Sequence, residues 1–199
     1  MKACIREAIC TYFDYGVTSD SAKYHVAEGY KRLMLRRAQA EADHALWITN
    51  LALLRGKLKH HDVRDTTHFN TANCYQCHVM LCSDLEFNPD DCYGNTKELK
   101  VGYIAVYCSV LCDVATTVIE QVTYPQGEVE PSFSRVEWES DFRHTVNLVW
   151  SWLSELGYVY IDRSEYQELV EGISLEYTED GSATVFDCLF DEFVSSDLR

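Results

Sequence analysis

Hydrophobic residues recur at three- and four-residue steps through much of this chain, and that spacing predicts helices. Between Lys2 and Asp14, Ile5, Ile9 and Tyr12/Phe13 share one helical face, with Gly16 as a C-terminal stop. Thr18, Ser19, Asp20 and Ser21 offer N-caps for a long helix to about Lys59. Its apolar arc holds Tyr30, Leu33, Ile48, Leu51, Leu54 and Leu58. His60 to Asn73 reads as a loop, and Cys74 to Leu85 as a short helix or a metal-organised turn.

Pro89-Asp90-Asp91 breaks the chain, and Asn95-x-x-Glu98 matches a capping box opening a helix to about Thr123. VGYIAVYCSVLC, Val101 to Cys112, reads as a buried stretch of that helix; it stops at Asp113 and is too short to span a membrane. Thr123 to Pro131 holds two of the three prolines and forms a linker. Ser134-x-x-Glu137 opens another helix, whose apolar face carries Trp138, Phe142, Thr145, Val149, Trp152, Leu153 and Leu156 before Gly157 ends it. Tyr158 to Ile161 reads as a short strand, and Ser164-x-x-Gln167 caps a short helix up to Gly172. The alternating Ile173, Leu175 and Tyr177, a turn at Glu179 to Ser182, and Thr184 to Leu189 suggest a hairpin. A final helix from Ser182 is the alternative. The expectation is a mainly α fold, a bundle of four or five helices with a small C-terminal helix or β-hairpin part. One domain over 1–199 is expected, with a sub-boundary at the linker 124–131 between a neutral helical half, 1–123, and an acidic half, 132–199.

Charge changes this picture most. The net charge is −15, and residues 1–100 contribute none of it, with thirteen basic and thirteen acidic side chains. Residues 101–199 hold four basic side chains against nineteen acidic ones. A winged-helix order is discernible near the C-terminus, yet its would-be recognition helix SEYQELVEGI lacks any Lys or Arg. Phosphate neutralisation dominates nucleic-acid affinity, so direct nucleic-acid binding is excluded. No export signal or membrane span is read at the N-terminus, and nine cysteines, an odd number, do not suggest a secreted disulfide framework. A cytoplasmic protein is expected.

The candidate chemistry centres on CYQCH, Cys74 to His78. Its Cys-x-x-Cys-His pattern matches covalent haem attachment, which the absence of an export address argues against. One zinc knuckle is a stronger reading than haem, with Cys74, Cys77, His78, Cys82 and Cys92 as the ligand set, weighed against free cysteines that simply pack as small buried hydrophobes. Cofactors are accordingly none, or one structural zinc. A redox pair or a cysteine nucleophile beside His78 is a further alternative. Glu41-x-x-His44 and Asp141-x-x-His144 resemble half of a di-metal helical site. Asp113 and Glu120 fall on the polar side of their expected helix, however, and an ion pair of Glu41 with Arg37 explains the first match more simply. Phosphate-loop, dinucleotide, zinc-protease and serine-hydrolase motifs are missing, which makes an enzyme the less favoured class.

The expected function is non-enzymatic: an acidic interaction protein that occupies a basic, nucleic-acid-binding surface of a partner protein and inhibits or regulates it. Inhibitors of host nucleases made by phages and mobile elements offer an analogy of charge and size. The residues expected to meet the partner are Glu128, Glu130, Glu137, Glu139, Asp141, Glu165, Glu168, Glu171, Glu179, Asp180, Asp187, Asp191 and Glu192. A homodimer is compatible with the basic stretch Lys23 to Arg64. The alternatives are a zinc-organised helical adaptor acting through Cys74 to Cys92, and a metal-dependent helical-bundle enzyme.

Overall fold

A computed structural model describes residues 1–81, 99–124, 132–135, 139–178 and 182–191. The helices expected near the N-terminus form: α1 spans Ala3–Tyr12, α2 Glu28–Ala42 and α3 His44–Lys57. The long helix is interrupted at Asp43, where Leu46 N–H donates to Asp43 O in a tighter turn. Residues 18–27 hold turns and a short 3-10 helix instead of continuing it.

The middle of the chain is a sheet. Strands β1 (Val63–Asp65), β2 (Cys74–Met80), β3 (Leu99–Ser109), β4 (Val114–Tyr124) and β5 (Ser132–Arg135) form an antiparallel path in chain order. A sixth, β6 (Val159–Tyr160), runs parallel to the start of β4. Strands β5 and β6 share the outer edge of β4, pairing with residues 120–123 and 114–115. Helix α4 (Glu139–Glu155) intervenes between them, and two short helices, α5 (Arg163–Tyr166) and α6 (Val185–Leu189), end the described chain.

The expectation of a mainly α helical bundle is therefore overturned: this is a mixed fold built on a sheet. The stretch read as one buried helix over Asn95 to Thr123 is, where described, the β3–β4 hairpin, paired from Leu99↔Tyr124 to Cys108↔Ala115. The reason lies in burial. Strand β3 is covered on both faces, so it is apolar at nearly every position from Val101 to Cys108 and loses the two-residue alternation of a half-exposed strand. In β4 burial alternates, but the buried phase includes Thr116 and Glu120, which hides the pattern from hydropathy. Only the density of Val, Ile, Thr and Tyr in VGYIAVY and VATTVIEQVTY marks them as strands. Of the segment Cys74 to Leu85, expected as a short helix or a metal-organised turn, Cys74–Met80 is β2 and residues 82–85 lie outside the described residues, while β1 lies within the expected loop His60 to Asn73. Ser134, read as a helix cap, sits in β5. Asn95, Glu98 and the linker residues 125–131 lie outside the described residues.

Two apolar clusters lie on either side of the sheet. On one face, Ile5 and Ile9 of α1, Leu33 of α2, and Ile173, Val185 and Phe186 near the C-terminus pack against Val101, Tyr107 and Val118. On the other, Trp47, Leu51 and Leu54 of α3 and Val149, Trp152 and Leu153 of α4 pack against Cys77, Val79, Ile104 and Val106. The chain changes layers between α2 and α3. No helix among the described residues is long and apolar enough to cross a membrane.

Asn73 stitches these parts together. Wholly buried, its side-chain oxygen accepts from Arg37 Nε at 2.7 Å, and its amide nitrogen donates to Cys188 O at 2.8 Å. Its backbone N–H donates to Phe190 O at 2.6 Å and its carbonyl accepts from Val110 N–H at 2.9 Å. Replacing Asn73 with Ala removes the acceptor of Arg37 Nε and the donor to Cys188 O in a buried setting. We expect Asn73→Ala to cost about 2–4 kcal/mol of stability, read as a lowered urea midpoint at unchanged slope. Asn50→Ala, at a half-buried position on α3, should leave the midpoint nearly unmoved.

Candidate interaction surface

The acidic side chains expected to meet a partner divide into three groups. Asp187 and Asp191 are buried. Asp187 closes the capping box of α6, accepting from the Thr184 N–H and hydroxyl, both at 2.8 Å. Asp191 forms an antiparallel bridge with Ala72. Both residues hold the C-terminal segment in place and present little to a partner. Glu128, Glu130, Glu137, Glu179, Asp180 and Glu192 lie outside the described residues, as do the side chains of Glu139 and Asp141.

The third group occupies residues 162–177. Its start is fixed by β6, where Ile161 N–H donates to Ala115 O at 3.0 Å. Asp162 then caps α5: its carboxylate accepts from Ser164 Oγ at 2.7 Å and Glu165 N–H at 3.1 Å, while Glu165 Oε2 accepts from Asp162 N–H at 3.2 Å. Those bonds, led by the Ser164 hydroxyl, hold the Asp162 carboxyl below its usual range. Tyr166, Val170, Ile173 and Leu175 are buried and pin the segment to the α1/α2 side of the sheet. Backbone bonds Gly16 N–H to Gly172 O (2.8 Å) and Val170 N–H to Ala183 O (2.8 Å) tie it to its neighbours.

What the pinned segment turns outward is acidic and partly apolar. Asp162, Glu168, Glu171 and Glu176 are exposed, and among them Leu169 and Tyr177 are 59% and 48% exposed. Tyr15, 54% exposed, lies alongside, close to Gly172. Lys2 pairs with Glu165 at 2.8 Å, and the chain's amino terminus lies 2.9 Å from Glu168. Leu169 and Tyr177 give this acidic surface large apolar contact points, a feature that charge patterning alone did not reveal.

The zinc set is not drawn together. Cys74 and Cys77 are both buried on β2, but three residues along a strand point to opposite faces. They enter separate clusters on either side of the sheet, so they cannot grip one ion. His78 shares the Cys74 face four residues further on, and Cys82 and Cys92 lie outside the described residues. No cluster of three or more metal-binding side chains occurs among the described residues. Burial raises the Cys74, Cys77 and Cys108 thiols, and lifts Cys112 to about 12, so none of these four is an activated thiolate.

The di-metal pattern also separates. Glu41 and His144 are exposed, and the Asp141 side chain is not described. Instead of pairing with Glu41, Arg37 points inward to Asn73 and to the carbonyls of Asn70 and Thr71. His44 Nε2 lies 2.9 Å from Asp65 Oδ2, while Trp47 Nε1 and Thr67 Oγ1 donate to Asp65 Oδ1 at 3.0 and 2.7 Å. Asp65 thus locks β1 to α3.

A buried polar group inside the sheet escaped the sequence entirely. Glu120, placed by helical periodicity on a polar face, is 3% exposed in β4. It accepts from Tyr103 Oη at 2.7 Å and, at the limit of hydrogen-bond length, from Tyr107 Oη at 3.5 Å. The His78 ring stacks on Tyr103 with centroids 4.1 Å apart, and Gln76 Nε2 lies 3.3 Å from His78 Nε2. Gln76, His78, Tyr103, Tyr107 and Glu120 share one sheet face, as the β2–β3 and β3–β4 registers require.

Comparison with known protein families, curated proteins and solved structures finds no match to this chain.

Burial, with Arg64 and His68 nearby, lowers the His78 pKa from its ordinary 6.5 to about 4. Between those values the unfolded chain binds a proton that the folded chain refuses. The native state therefore keeps its full advantage above about pH 6.5 and loses it as pH falls towards about 4. The loss is on the order of 3 kcal/mol. Thermal melts from pH 7 to pH 4 should show this decline, and His78→Phe, which retains a ring over Tyr103, should flatten it.

Proposed function

We propose that this protein works by binding, with the acidic surface formed by residues 162–177, a basic surface of a partner protein that itself handles nucleic acid. The observation supporting this reading most directly is the combination on one pinned segment of exposed carboxylates with exposed Leu169 and Tyr177. Apolar side chains among charges resemble the anatomy of a protein interface, in which buried aromatic and aliphatic anchors supply affinity and the surrounding charge supplies steering. A purely solubilising surface needs carboxylates but not the apolar anchors.

The net charge of −15, all of it from residues 101–199, adds a long-range field that speeds encounter with a basic patch. Carboxylates held on a capped, backbone-anchored segment keep fixed spacings, as an imitation of phosphates requires. Occupying such a patch competes directly with nucleic acid, so the outcome for the partner is inhibition or regulation. The side chains of Glu128, Glu130, Glu137, Glu139 and Asp141 extend the same charge in sequence.

The test is affinity capture on immobilised protein at low salt, followed by stepwise salt elution. The captured partner should release by roughly 0.3 M salt, because exposed charge pairs are screened over a few ångströms there. Its affinity should fall at least tenfold for the triple variant Glu168→Lys, Glu171→Lys, Glu176→Lys, and the native chain should displace nucleic acid from it. A complex indifferent both to salt and to these reversals rules the proposal out.

A further inference from the structure

We propose that the outward face of α3 pairs two copies of this chain, helix against antiparallel helix. This inference does not depend on the acidic surface, which lies on the other side of the sheet.

Helix α3, HALWITNLALLRGK, is apolar nearly all round, a composition expected of a helix buried on every side. Within one chain only one side is covered. Trp47, Leu51 and Leu54 pack against the sheet, whereas Leu46 and Leu53 are 64% and 58% exposed and Ile48 is 39% exposed. The exposed positions between them are small: Ala45, Thr49, Ala52 and Gly56. Large side chains alternating with small ones allow two such faces to interdigitate at close approach.

Gly56 supplies an independent observation. A helical glycine costs about 0.5–1 kcal/mol relative to alanine. Gly29, near the start of α2, has a reason within the chain, since a Cβ there would sit 2.5 Å from Asp14 Oδ2. Gly56 has none: its φ is not positive, and a Cβ would meet nothing within 4 Å. The space it leaves open faces away from the chain, where a second helix can approach.

Charge selects the second copy and its direction. Glu41 and Asp43 precede the helix, and Arg55 and Lys57 in its last turn and Lys59 just beyond it are exposed, with Lys57 also pairing at 2.8 Å with Glu155 and Arg55 donating to the Val63 carbonyl. Antiparallel pairing sets the acidic end of each helix against the basic end of the other and opposes the two helix dipoles. Parallel pairing would stack like charges at both ends. The contact is isologous, so it closes as a dimer and does not propagate. Fourteen residues rising about 1.5 Å each span roughly 21 Å, which makes a contact smaller than the ~800 Å² per partner of a standard interface. The dimer is accordingly a reversible one, with a dissociation constant of roughly micromolar order.

Sedimentation equilibrium on the full chain tests this. The native protein should be dimeric at roughly 100 μM and dissociate on dilution. Leu46→Glu with Leu53→Glu should raise the dissociation constant at least tenfold without altering the circular dichroism spectrum. Gly56→Gln guards against misfolding as the explanation: it should leave the melting temperature of the monomer equal or higher, because glutamine is the better helix former, and still weaken the dimer. A monomer at roughly 100 μM, or a dimer that tolerates both variants, overturns the proposal.

Discussion

The fold depends on how a single buried amide is satisfied. Asn73 stands at the entrance to β2 with both backbone groups and both side-chain groups engaged by three other parts of the chain. Arg37 reaches it from α2, Val110 from the β3–β4 turn, and Cys188 and Phe190 from the α6 segment. Four segments distant in sequence thereby share one position. An apolar residue there could fill the volume but would remove the acceptor of Arg37 Nε and the donor to Cys188 O, and such losses are costly in a buried position. The same contact helps to bury Arg37, whose guanidinium donates to Asn73 and to the carbonyls of Asn70 and Thr71. It also places the C-terminal segment over the sheet, where Phe186 and Phe190 pack against Tyr107.

With both faces of the sheet closed by helices, periodicity ceases to distinguish strand from helix in the middle of the chain. The helices at the ends were legible because each is half-exposed. Ile5 and Ile9 in α1, and Val149, Trp152 and Leu153 in α4, lie where three- and four-residue spacing puts them, and Gly157 ends α4 with φ 89° as a C-terminal glycine should. In β3, by contrast, every residue from Val101 to Cys108 is buried or, at Gly102, closely covered, so no polar phase remains to be read. The misleading cue in β4 was Glu120. A carboxylate is taken for a surface marker, yet here two tyrosines from β3 supply its donors, a pairing visible only once strand register is known.

The same contrast applies to the candidate sites. CYQCH matched several chemistries because one-dimensional spacing does not say whether residues three apart share a side. On a helix or in a turn they do; on β2 they diverge, and the two thiols belong to different cores. Acidic residues show the converse. Asp187 and Asp191 belong to the bulk charge, but both are buried, Asp187 in the α6 capping box and Asp191 at a bridge to Ala72. Glu168, Glu171 and Glu176 remain exposed, and what distinguishes them is the company of Leu169 and Tyr177, which composition does not weigh.

Segregation of charge also limits where two copies of such a chain can meet. Residues 101–199 contribute the whole of −15, so apposing those halves would set two strongly negative surfaces within a Debye length of about 8–10 Å. The first hundred residues are neutral, and several exposed bases there are already matched within the chain: Lys31 with Glu28, Arg64 with Asp62, and Lys57 with Glu155. Helix α3 lies in that neutral half and on the sheet face opposite the acidic segment. The proposed contact through it would hold the two negative surfaces apart and leave both open. A paired molecule then presents two acidic surfaces together, which raises avidity for any target carrying two basic patches within reach. In the proposed pair, charge segregation and the uncovered helix face would serve one arrangement: repulsion would keep the acidic ends outward, and the apolar seam would be the place where approach costs least.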